Sequence, residues 1–338
     1  MKEFTIKPNE ENQRLDKYLK KRLPECGSGF LYKMLRKKNI CYNNKKASGN
    51  EMLKAGDKVT IFFSDETFAK FAGTPKVQDA TYDTLAALPM SGISIVYEDE
   101  HILIANKPFN MLSQKAKADD VSANEILLGY LIRTGKLSRE DYQTFRPSVC
   151  NRLDRNTTGL LLMGVSLKGS QDLSRMLKER TIQKYYLAIV SGELSKKSHL
   201  KGYLQKEEAT NTVTISPVRA HETDACIETE FVPLACSNQA TLLRVHLITG
   251  KTHQIRAHLA SIGHPIIGDP KYGNRNINQQ YYRQYGIKAQ LLHAYQLIFP
   301  DHTVYEAEAP AYFSKVIPQV NKCQHGIPED FEVLPSKR

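Results

Sequence analysis

Residues 151–163 read NRLDRNTTGLLLM, a charged, polar stretch that leads directly into an apolar one. The apolar part continues to Val165 and is typical of a β-strand. The polar part has the composition of a loop. Asp154 is therefore predicted to lie in a loop at the entrance to a strand.

Asp154 is the candidate for chemistry in this loop. Two arginines, Arg152 and Arg155, and two threonines surround it in the sequence. Such neighbours favour an ionised carboxylate, which is better suited to nucleophilic than to acid catalysis. The alternative is an ordinary turn aspartate that hydrogen-bonds its own backbone, and composition alone favours that interpretation.

The segments on either side of this loop predict the fold class. Strands are predicted at 93–97, 101–106, 159–165, 185–191, 225–233 and 240–248, and helices at 122–134, 168–179 and 252–262. Strands in runs with few helices, and no regular strand–helix alternation, indicate an α+β domain. We expect a mixed, largely antiparallel β-sheet with flanking helices.

A second stretch, TGKTHQIRAHLASIG at 249–263, is predicted to form a helix capped by Thr252. Its apolar stripe would consist of Ile255, Leu259 and Ile262. His253 and Arg256 lie three residues apart on another face. Arg256 can donate a forked pair of hydrogen bonds to a carboxylate or a phosphate; the alternative is a surface arginine.

A third stretch, KYYLAIVSG at 184–192, is predicted to be a strand. Alternation along a strand places Tyr186 and Ala188 on the same face. The small Ala188 leaves room for the Tyr186 ring to lie against a flat ligand such as a base. Core packing is the ordinary alternative for either tyrosine of this stretch.

Neither the cysteines nor the histidines predict a metal site. The six cysteines lie far apart without a CxxC pair, which is unlike zinc sites and the disulfide frameworks of small secreted domains. His253 and His258 are five residues apart rather than four, so one helix face presents them poorly to a shared ion.

Positive charge is concentrated at the N-terminus. Residues 1–62 contain 15 Lys and Arg and 7 Asp and Glu, a net charge of +8, whereas the other 276 residues contain 32 and 29, a net charge of +3. A small basic module attached to a nearly neutral body suggests a binding site for a polyanion. The alternative is a soluble basic surface without a partner.

No stretch approaches the roughly 18 apolar residues of a membrane span, and the first residues lack the apolar core of a signal peptide. Nothing else suggests membrane attachment, so we expect a cytoplasmic protein.

Six motifs, in this order along the chain, resemble the RluA family of pseudouridine synthases. They are VYEDEHILIANKP at 96–108, NRLDRNTTG at 151–159, KYYLAIVSG at 184–192, GKTHQIRAH at 250–258, GHPIIGDPKYG at 263–273 and LLHAYQLIF at 291–299. The resemblance covers roughly residues 93–310. More loosely, residues 14–63 resemble the small RNA-binding module of the ribosomal-protein-S-four type, through RLDKYL at 14–19, the basic second helix and KAGD at 54–57.

The resemblance implies a role for three residues. Asp154 corresponds to the family's catalytic aspartate, Tyr186 to its active-site tyrosine and Arg256 to the arginine that pairs with the aspartate. Three positions depart from the usual motifs: Asn110 stands for glycine, Lys251 for arginine, and Asn151 for histidine. Asn151 is the departure expected to matter most, since it would alter how the loop meets the nucleotide.

The implied reaction breaks the N1–C1′ bond of a flipped uridine, turns the uracil and rejoins it through C5. Asp154 would attack C1′ or remove a proton from C2′. Tyr186 would stack on the uracil and help to remove the C5 proton. The reaction is redox-neutral, so no metal and no cofactor is expected.

The expected partner is structured RNA, first of all large-subunit ribosomal RNA, with transfer RNA as the alternative. A non-catalytic RNA-binding assembly factor and a nucleoside hydrolase are two competing interpretations, and we expect a monomer. The predicted domains are a basic RNA-binding domain at 1–63, a linker at 64–91, a catalytic domain at 92–317 and a tail at 318–338. The side chains expected to bind RNA are Arg14, Lys17, Lys33, Arg36, Lys37, Lys38, Arg152, Lys251 and His253.

Overall fold

Two β-sheets with separate apolar cores organise the chain. The computed structural model describes residues 1–72, 75–207, 212–316 and 321–322. The smaller sheet has 4 strands and the larger has 12, and helices flank both. The predicted α+β class is therefore confirmed.

The N-terminal unit contains the smaller sheet and two helices. Its elements are β1 (Lys2–Thr5), α1 (Leu15–Arg22), α2 (Ser28–Arg36), β2 (Ile40–Tyr42), β3 (Lys45–Lys46) and β4 (Lys58–Ile61). The strands are all antiparallel in the order β1-β4-β2-β3. Apolar residues of both helices pack with the sheet in one core, as their helical spacing predicts. The sequence did not predict β1 or β3, which are short and largely exposed.

Residues 64–91, expected to be a linker, contain two helices, α3 (Asp65–Ala72) and α4 (Pro75–Ala86). Helix α3 packs on the N-terminal unit, where the Phe71 ring centroid lies 4.8 Å from that of Phe30. The end of α4 packs on the larger unit, where Leu85 joins the apolar core. The segment therefore contacts both units.

The larger unit contains twelve strands and six helices among the described residues. The strands are β5 (Ser94–Glu98), β6 (Ile102–Lys107), β7 (Ser148–Val149), β8 (Thr158–Gly164), β9 (Gln183–Ser191), β10 (Ser198–Glu207), β11 (Thr212–Ser216), β12 (Ala225–Cys236), β13 (Ala240–Leu247), β14 (Leu292–Ile298), β15 (Val304–Glu306) and β16 (Asn321–Lys322). The helices are α5 (Ala123–Arg133), α6 (Arg139–Thr144), α7 (Leu167–Glu179), α8 (Gln254–Ser261), α9 (Arg275–Tyr285) and α10 (Ala311–Val316).

The sheet order brings distant segments together at its centre. The main path runs β11-β10-β12-β13-β9-β14-β8-β6-β5. Only the β8–β14 pair is parallel among the described neighbours, so the sheet is mixed and largely antiparallel, as predicted. In β14, Ala294 pairs with Gly159 of β8 on one side and Tyr186 of β9 on the other. This register places the end of the 151–157 loop beside Tyr186.

Gly159 is required at this crossing. Its φ is +110°, and a Cβ there would lie 2.1 Å from the backbone oxygen of Ala294. Any other residue would therefore separate the two parallel strands.

The structure corrects one detail of the predicted elements and adds others. Helix α8 begins at Gln254 with His253 as the N-cap, instead of the predicted Thr252. The hairpin of β10 and β11 was not predicted, because its many charged and polar residues weaken the alternation that identifies a strand. Helix α9, with a strongly polar sequence, was missed for a similar reason.

The two units touch through charged side chains on α6. The Lys7 ammonium lies 3.2 Å from the Glu140 carboxylate and 3.1 Å from that of Asp141. Arg22 lies 3.4 Å from Glu140. The contact orients the basic unit on the larger one, although an ion pair as exposed as that of Lys7 with Glu140 contributes little to stability.

No helix in the described part of the chain is long and apolar enough to cross a membrane. The predicted tail, residues 318–338, lies outside the described residues except for β16.

His293 lies in the core at the β8–β14 junction. Its Nε2–H donates to the Ala307 backbone oxygen at 3.0 Å, and its Nδ1 lies 2.8 Å from the Thr158 hydroxyl. Burial lowers the pKa of His293 from 6.5 to about 4. The folded protein therefore holds this imidazole neutral in a range where the unfolded chain protonates it.

We expect the free energy of unfolding to fall as the pH decreases from 6.5 to 4, by up to about 1.4 kcal/mol per pH unit for His293. The sign follows because the unfolded chain binds more protons in this window. Urea unfolding at pH 7 and pH 4.5 measures it. His293→Gln should be less stable at pH 7 but show a weaker pH dependence. The control His302→Asn, on an exposed turn, should keep the wild-type dependence; an unchanged dependence in His293→Gln would contradict the assignment.

Candidate active site

A cleft of about 910 Å³ opens where the 151–157 loop, β9 and the start of α8 meet. It is lined by all six site residues predicted in the larger unit, Arg152, Asp154, Tyr186, Lys251, His253 and Arg256. The predicted basic residues of the N-terminal unit are not part of the described lining. The three stretches 151–159, 184–192 and 249–263 thus meet at one site.

Asp154 and Arg256 form the contact implied by the family resemblance. The Arg256 Nη1 donates to Asp154 Oδ2 at 2.7 Å. The Asp154 side chain is 26% exposed, whereas that of Arg256 is 5% exposed. The carboxylate therefore reaches the cleft while its partner is anchored in the protein.

A second carboxylate, Asp269, holds the other edge of Arg256. Arg256 Nε donates to Asp269 Oδ2 at 2.6 Å, and Nη2 donates to Oδ1 at 2.8 Å. The Asp269 side chain is 0% exposed. The forked pair of hydrogen bonds expected of Arg256 goes to Asp269, and a single bond remains for Asp154.

Burial alone would lower the pKa of Arg256, but hydrogen bonding and charge from Asp269, and then from Asp154, raise it overall. Arg256 is therefore a permanent cation. The role of Asp269 was not predicted from the sequence, although Asp269 lies in the family motif GHPIIGDPKYG at 263–273.

Tyr272 and His253 complete the surroundings of Arg256. The guanidinium carbon lies 5.2 Å from the centroid of the Tyr272 ring, a cation–π arrangement. The Tyr272 oxygen accepts from the Val213 backbone N–H at 2.8 Å and lies 3.0 Å from His253 Nδ1. Burial lowers the pKa of His253, with smaller contributions from nearby charges. A neutral His253 can accept a hydrogen bond from the Tyr272 hydroxyl at Nδ1.

Lys107, the last residue of β6, fixes the loop that carries Asp154. Its Nζ donates to the backbone oxygens of Pro108, Met111 and Arg155 at 3.1, 2.8 and 3.1 Å. Burial lowers the pKa of Lys107 to about 7, although the charge of Asp154 opposes this. Three carbonyl partners account for all three N–H donors of the ammonium.

Two further side chains hold the loop. The Ser113 hydroxyl donates to the Leu153 backbone oxygen and accepts from the Leu153 N–H, both at 2.9 Å. Asn151 Oδ1 accepts from Leu162 N–H at 2.7 Å, and its Nδ2 donates to the Leu160 oxygen at 3.3 Å. Asn151 thus attaches the loop to β8 through both the oxygen and the nitrogen of its amide. From the sequence, this residue was expected to affect how the loop meets the nucleotide; in the structure its side chain holds the loop.

Tyr186 forms part of the cleft wall and is 6% exposed. Burial, with a smaller contribution from the Asp154 charge, raises the pKa of its phenol. The hydroxyl therefore stays protonated near neutral pH. Its ring presents a flat apolar surface next to the Asp154–Arg256 pair.

The cleft is strongly positive. Its described lining contains eight Lys and Arg side chains and one carboxylate, that of Asp154. The lysines and arginines are Arg152, Arg155, Lys178, Arg180, Lys184, Lys251, Arg256 and Lys271. Such a cleft attracts a polyanion.

On the N-terminal unit, all six basic residues expected to bind RNA are exposed: Arg14, Lys17, Lys33, Arg36, Lys37 and Lys38. Arg14 differs from the other five in its pairing, because its Nε and Nη2 already donate to the Asp16 carboxylate at 3.1 and 3.0 Å. Its charge is therefore partly neutralised.

Among the residues that the structure describes, no group of three His, Cys, Asp or Glu side chains is placed to hold a metal ion.

Residues 101–261 match the model of the RNA pseudouridylate synthase family. The chain is 30% identical over 301 residues to ribosomal large subunit pseudouridine synthase C of Vibrio cholerae, covering 85% of both chains. It is 31% identical over 313 residues to the protein of that name in Salmonella typhimurium, covering 88% of both.

Two solved human structures share the fold. RNA pseudouridylate synthase domain containing 4 matches with a TM-score of 0.54 and 20% identity, over 71% of this chain and 95% of that one. RNA pseudouridylate synthase domain containing 1 matches with a TM-score of 0.53 and 22% identity, over 71% and 93%. The predicted pseudouridine synthase fold is confirmed, and with it the motif-based assignment: this chain belongs to the RluA family of RNA pseudouridine synthases, which are isomerases.

Proposed function

We propose that the protein converts uridines of large-subunit ribosomal RNA to pseudouridine, with Asp154 as the catalytic carboxylate. One observation supports this most directly: Asp154 projects into a cationic cleft while a buried Arg256, clamped by Asp269, holds one of its oxygens. The relatives named above act, by their names, on the large ribosomal subunit.

The geometry leaves one oxygen of Asp154 for the substrate. Oδ2 accepts from Arg256, whereas Oδ1 accepts no hydrogen bond from any residue in the described ranges. Oδ1 is therefore the atom that would attack C1′ or take the C2′ proton of the bound uridine. In either case the N1–C1′ bond breaks and the uracil leaves as an anion.

Tyr186 would stack on the uracil and keep it in the cleft while it turns. Because burial raises the pKa of its phenol, Tyr186 is a poor proton acceptor at neutral pH. This favours stacking over the other role expected from the family resemblance, removal of the C5 proton. Stacking on an aromatic ring is also independent of the base orientation.

The surroundings of the second carboxylate argue against glycoside hydrolysis. A hydrolase of that type uses one carboxyl group as acid or base to activate water. Asp269 accepts from Arg256 through both oxygens, and its Oδ1 also accepts from the N–H groups of Lys271 and Tyr272 at 2.8 and 3.1 Å. It is buried and fully occupied, so it cannot activate water in the cleft.

The exposed lysines and arginines of the N-terminal unit would bind RNA phosphates and orient the larger unit on its target. Binding would be sequence-independent at these contacts, so the shape of the RNA would select the site. The boundaries of the N-terminal unit as an RNA-binding domain, the monomeric state and the cytoplasmic location stay predictions.

The direct test is to incubate the protein with unmodified large-subunit ribosomal RNA and with transfer RNA. Pseudouridines are then mapped by carbodiimide-dependent primer-extension stops. Wild type should produce stops on ribosomal RNA, and Asp154→Ala should reduce the rate by at least about a thousandfold. The exposed-site control Asp65→Asn should match wild type.

Four different results would change or overturn the proposal. Stops on transfer RNA alone would change the substrate. Free uracil in the reaction would indicate a hydrolase, and salt-sensitive binding without stops would indicate a non-catalytic RNA-binding protein. Equal stops from Asp154→Ala would exclude Asp154 as the catalytic residue.

Asp269→Asn should lower kcat more than it raises KM, because Arg256 would lose the anion that orients its bond to Asp154. Breaking a buried ion pair on one side should also cost about 3–5 kcal/mol of stability. The double variant Arg256→Met with Asp269→Leu separates the two effects. It should recover much of the stability but none of the activity, and recovery of both would show that the pair serves only folding.

Tyr186→Phe should keep kcat/KM within about threefold of wild type, whereas Tyr186→Leu should lose about 5- to 150-fold, as expected for one base–aromatic stack. Steady-state kinetics on the mapped RNA measure both. If Tyr186→Phe is as impaired as Tyr186→Leu, the hydroxyl rather than the ring has the essential role.

A further inference from the structure

Three basic side chains of the cleft have no role in the chemistry proposed above. Lys178, Arg180 and Lys184 line the same cleft as Asp154 and Tyr186. Lys178 is in the last turn of α7, Arg180 is its C-cap, and Lys184 is the second residue of β9. They therefore form one basic group around the α7–β9 connection.

The Lys184 side chain is largely buried, and its ammonium, which faces the cleft, has no partner among the described residues. It is 7% exposed, and no acceptor in the described part of the chain lies within hydrogen-bond or ion-pair distance of its Nζ. Burial, and then the positive charge of Arg180, lower the pKa of its ammonium. A largely desolvated cation next to another cation is unfavourable unless an anion in the functional complex compensates for it.

Lys107 provides an internal comparison. It is at least as buried, yet three backbone oxygens accept hydrogen bonds from its ammonium. The fold can thus satisfy a buried lysine where the lysine has a structural role. Lys184 differs in that its side chain lines the cleft and the described protein groups leave its donors unused.

Arg180 is a second residue that indicates a binding role for this basic group. It adopts the left-handed conformation, with φ +60° and ψ +28°, at the C-cap of α7. Glycine or asparagine occupies such a position at lower cost. A positive residue near a helix C-terminus is favoured by the dipole, but this does not explain why a second cation, Lys184, lies close to it.

The position of Lys184 relative to Tyr186 suggests what it binds. The two residues are separated by one position on the same strand, so their side chains leave the same face about 7 Å apart. A base stacked on Tyr186 would place the sugar–phosphate backbone of its strand within reach of neighbouring cleft residues. The backbone phosphate is the anionic group of RNA.

We propose that Lys184, assisted by Arg180 and Lys178, binds a backbone phosphate adjacent to the nucleotide whose base stacks on Tyr186. This inference rests on the proposed function and adds a substrate-binding subsite to it. The subsite would supply the counter-charge that Lys184 lacks in the free protein. It would also retain the RNA strand while the uracil is detached from its ribose.

The test compares wild type with Lys184→Met, which keeps most of the side chain's length and removes its charge. With an unmodified large-subunit ribosomal RNA transcript, we expect kcat/KM to fall about tenfold to a hundredfold, mainly through KM. The slope of log K against log salt in equilibrium binding should decrease by about 0.7–0.9, the value for one phosphate contact. Lys184→Arg should restore much of both.

Thermal unfolding distinguishes binding from a structural role. Removing a partly desolvated cation that Arg180 repels should raise the Tm of Lys184→Met, by about 2–4 °C per kcal/mol gained. Lys168→Met, on the exposed surface of the same helix as Lys178, is the matched control and should leave kcat/KM unchanged.

Each outcome decides the proposal. A wild-type kcat/KM and salt slope in Lys184→Met would overturn it, as would a lower Tm with activity lost in proportion to the unfolded fraction. If wild type makes no pseudouridine, the proposed function fails, but the salt slope still decides whether Lys184 binds phosphate. If Asp154→Ala is inactive while Lys184→Met resembles wild type, only the subsite fails.

Discussion

A buried guanidinium shared by two carboxylates is the interaction on which the rest of this site depends. Arg256 needs anionic partners because an unpaired buried cation would be strongly destabilising. Asp269 takes its Nε and Nη2, which leaves Nη1 for Asp154. Because the guanidinium is planar and rigid, fixing one edge sets the direction of the remaining N–H. The orientation of Asp154 is therefore determined by Asp269, a residue outside the described lining of the cleft.

The central strands bring this pair to the tyrosine. The pairings of Ala294 with Gly159 and with Tyr186 place three chain segments in one row across the sheet. Gly159 permits the close approach of β8 to β14, and Lys107, Ser113 and Asn151 hold the loop before it through hydrogen bonds to the backbone. The loop is thus attached to rigid strands at several points, as a site that must position one carboxylate requires.

The charged groups of the site differ in whether they have hydrogen-bond partners within the protein. Lys107 and Asp269 are buried and fully hydrogen-bonded, so they act by holding other groups in place. The cleft itself has a large excess of cations around one carboxylate, and Lys184 there lacks a protein partner among the described residues. Groups satisfied within the protein support the site, whereas those left unsatisfied at the cleft are available to a polyanionic substrate.

The sequence by itself determined the family, the α+β class and the candidates Asp154, Tyr186 and Arg256, because these depend on local motifs and on the apolar pattern of strands and helices. The resemblance also implied the pairing of Arg256 with Asp154, which lies 102 residues away. Only the tertiary structure showed that Asp269 binds the other edge of Arg256. The tertiary structure also showed that Asn151 bonds to β8, that Lys107 bonds to the loop backbone, and that His253 is the N-cap of α8. The physical reason is that hydrogen-bond partners and burial depend on distances in space, and residue order does not specify those distances.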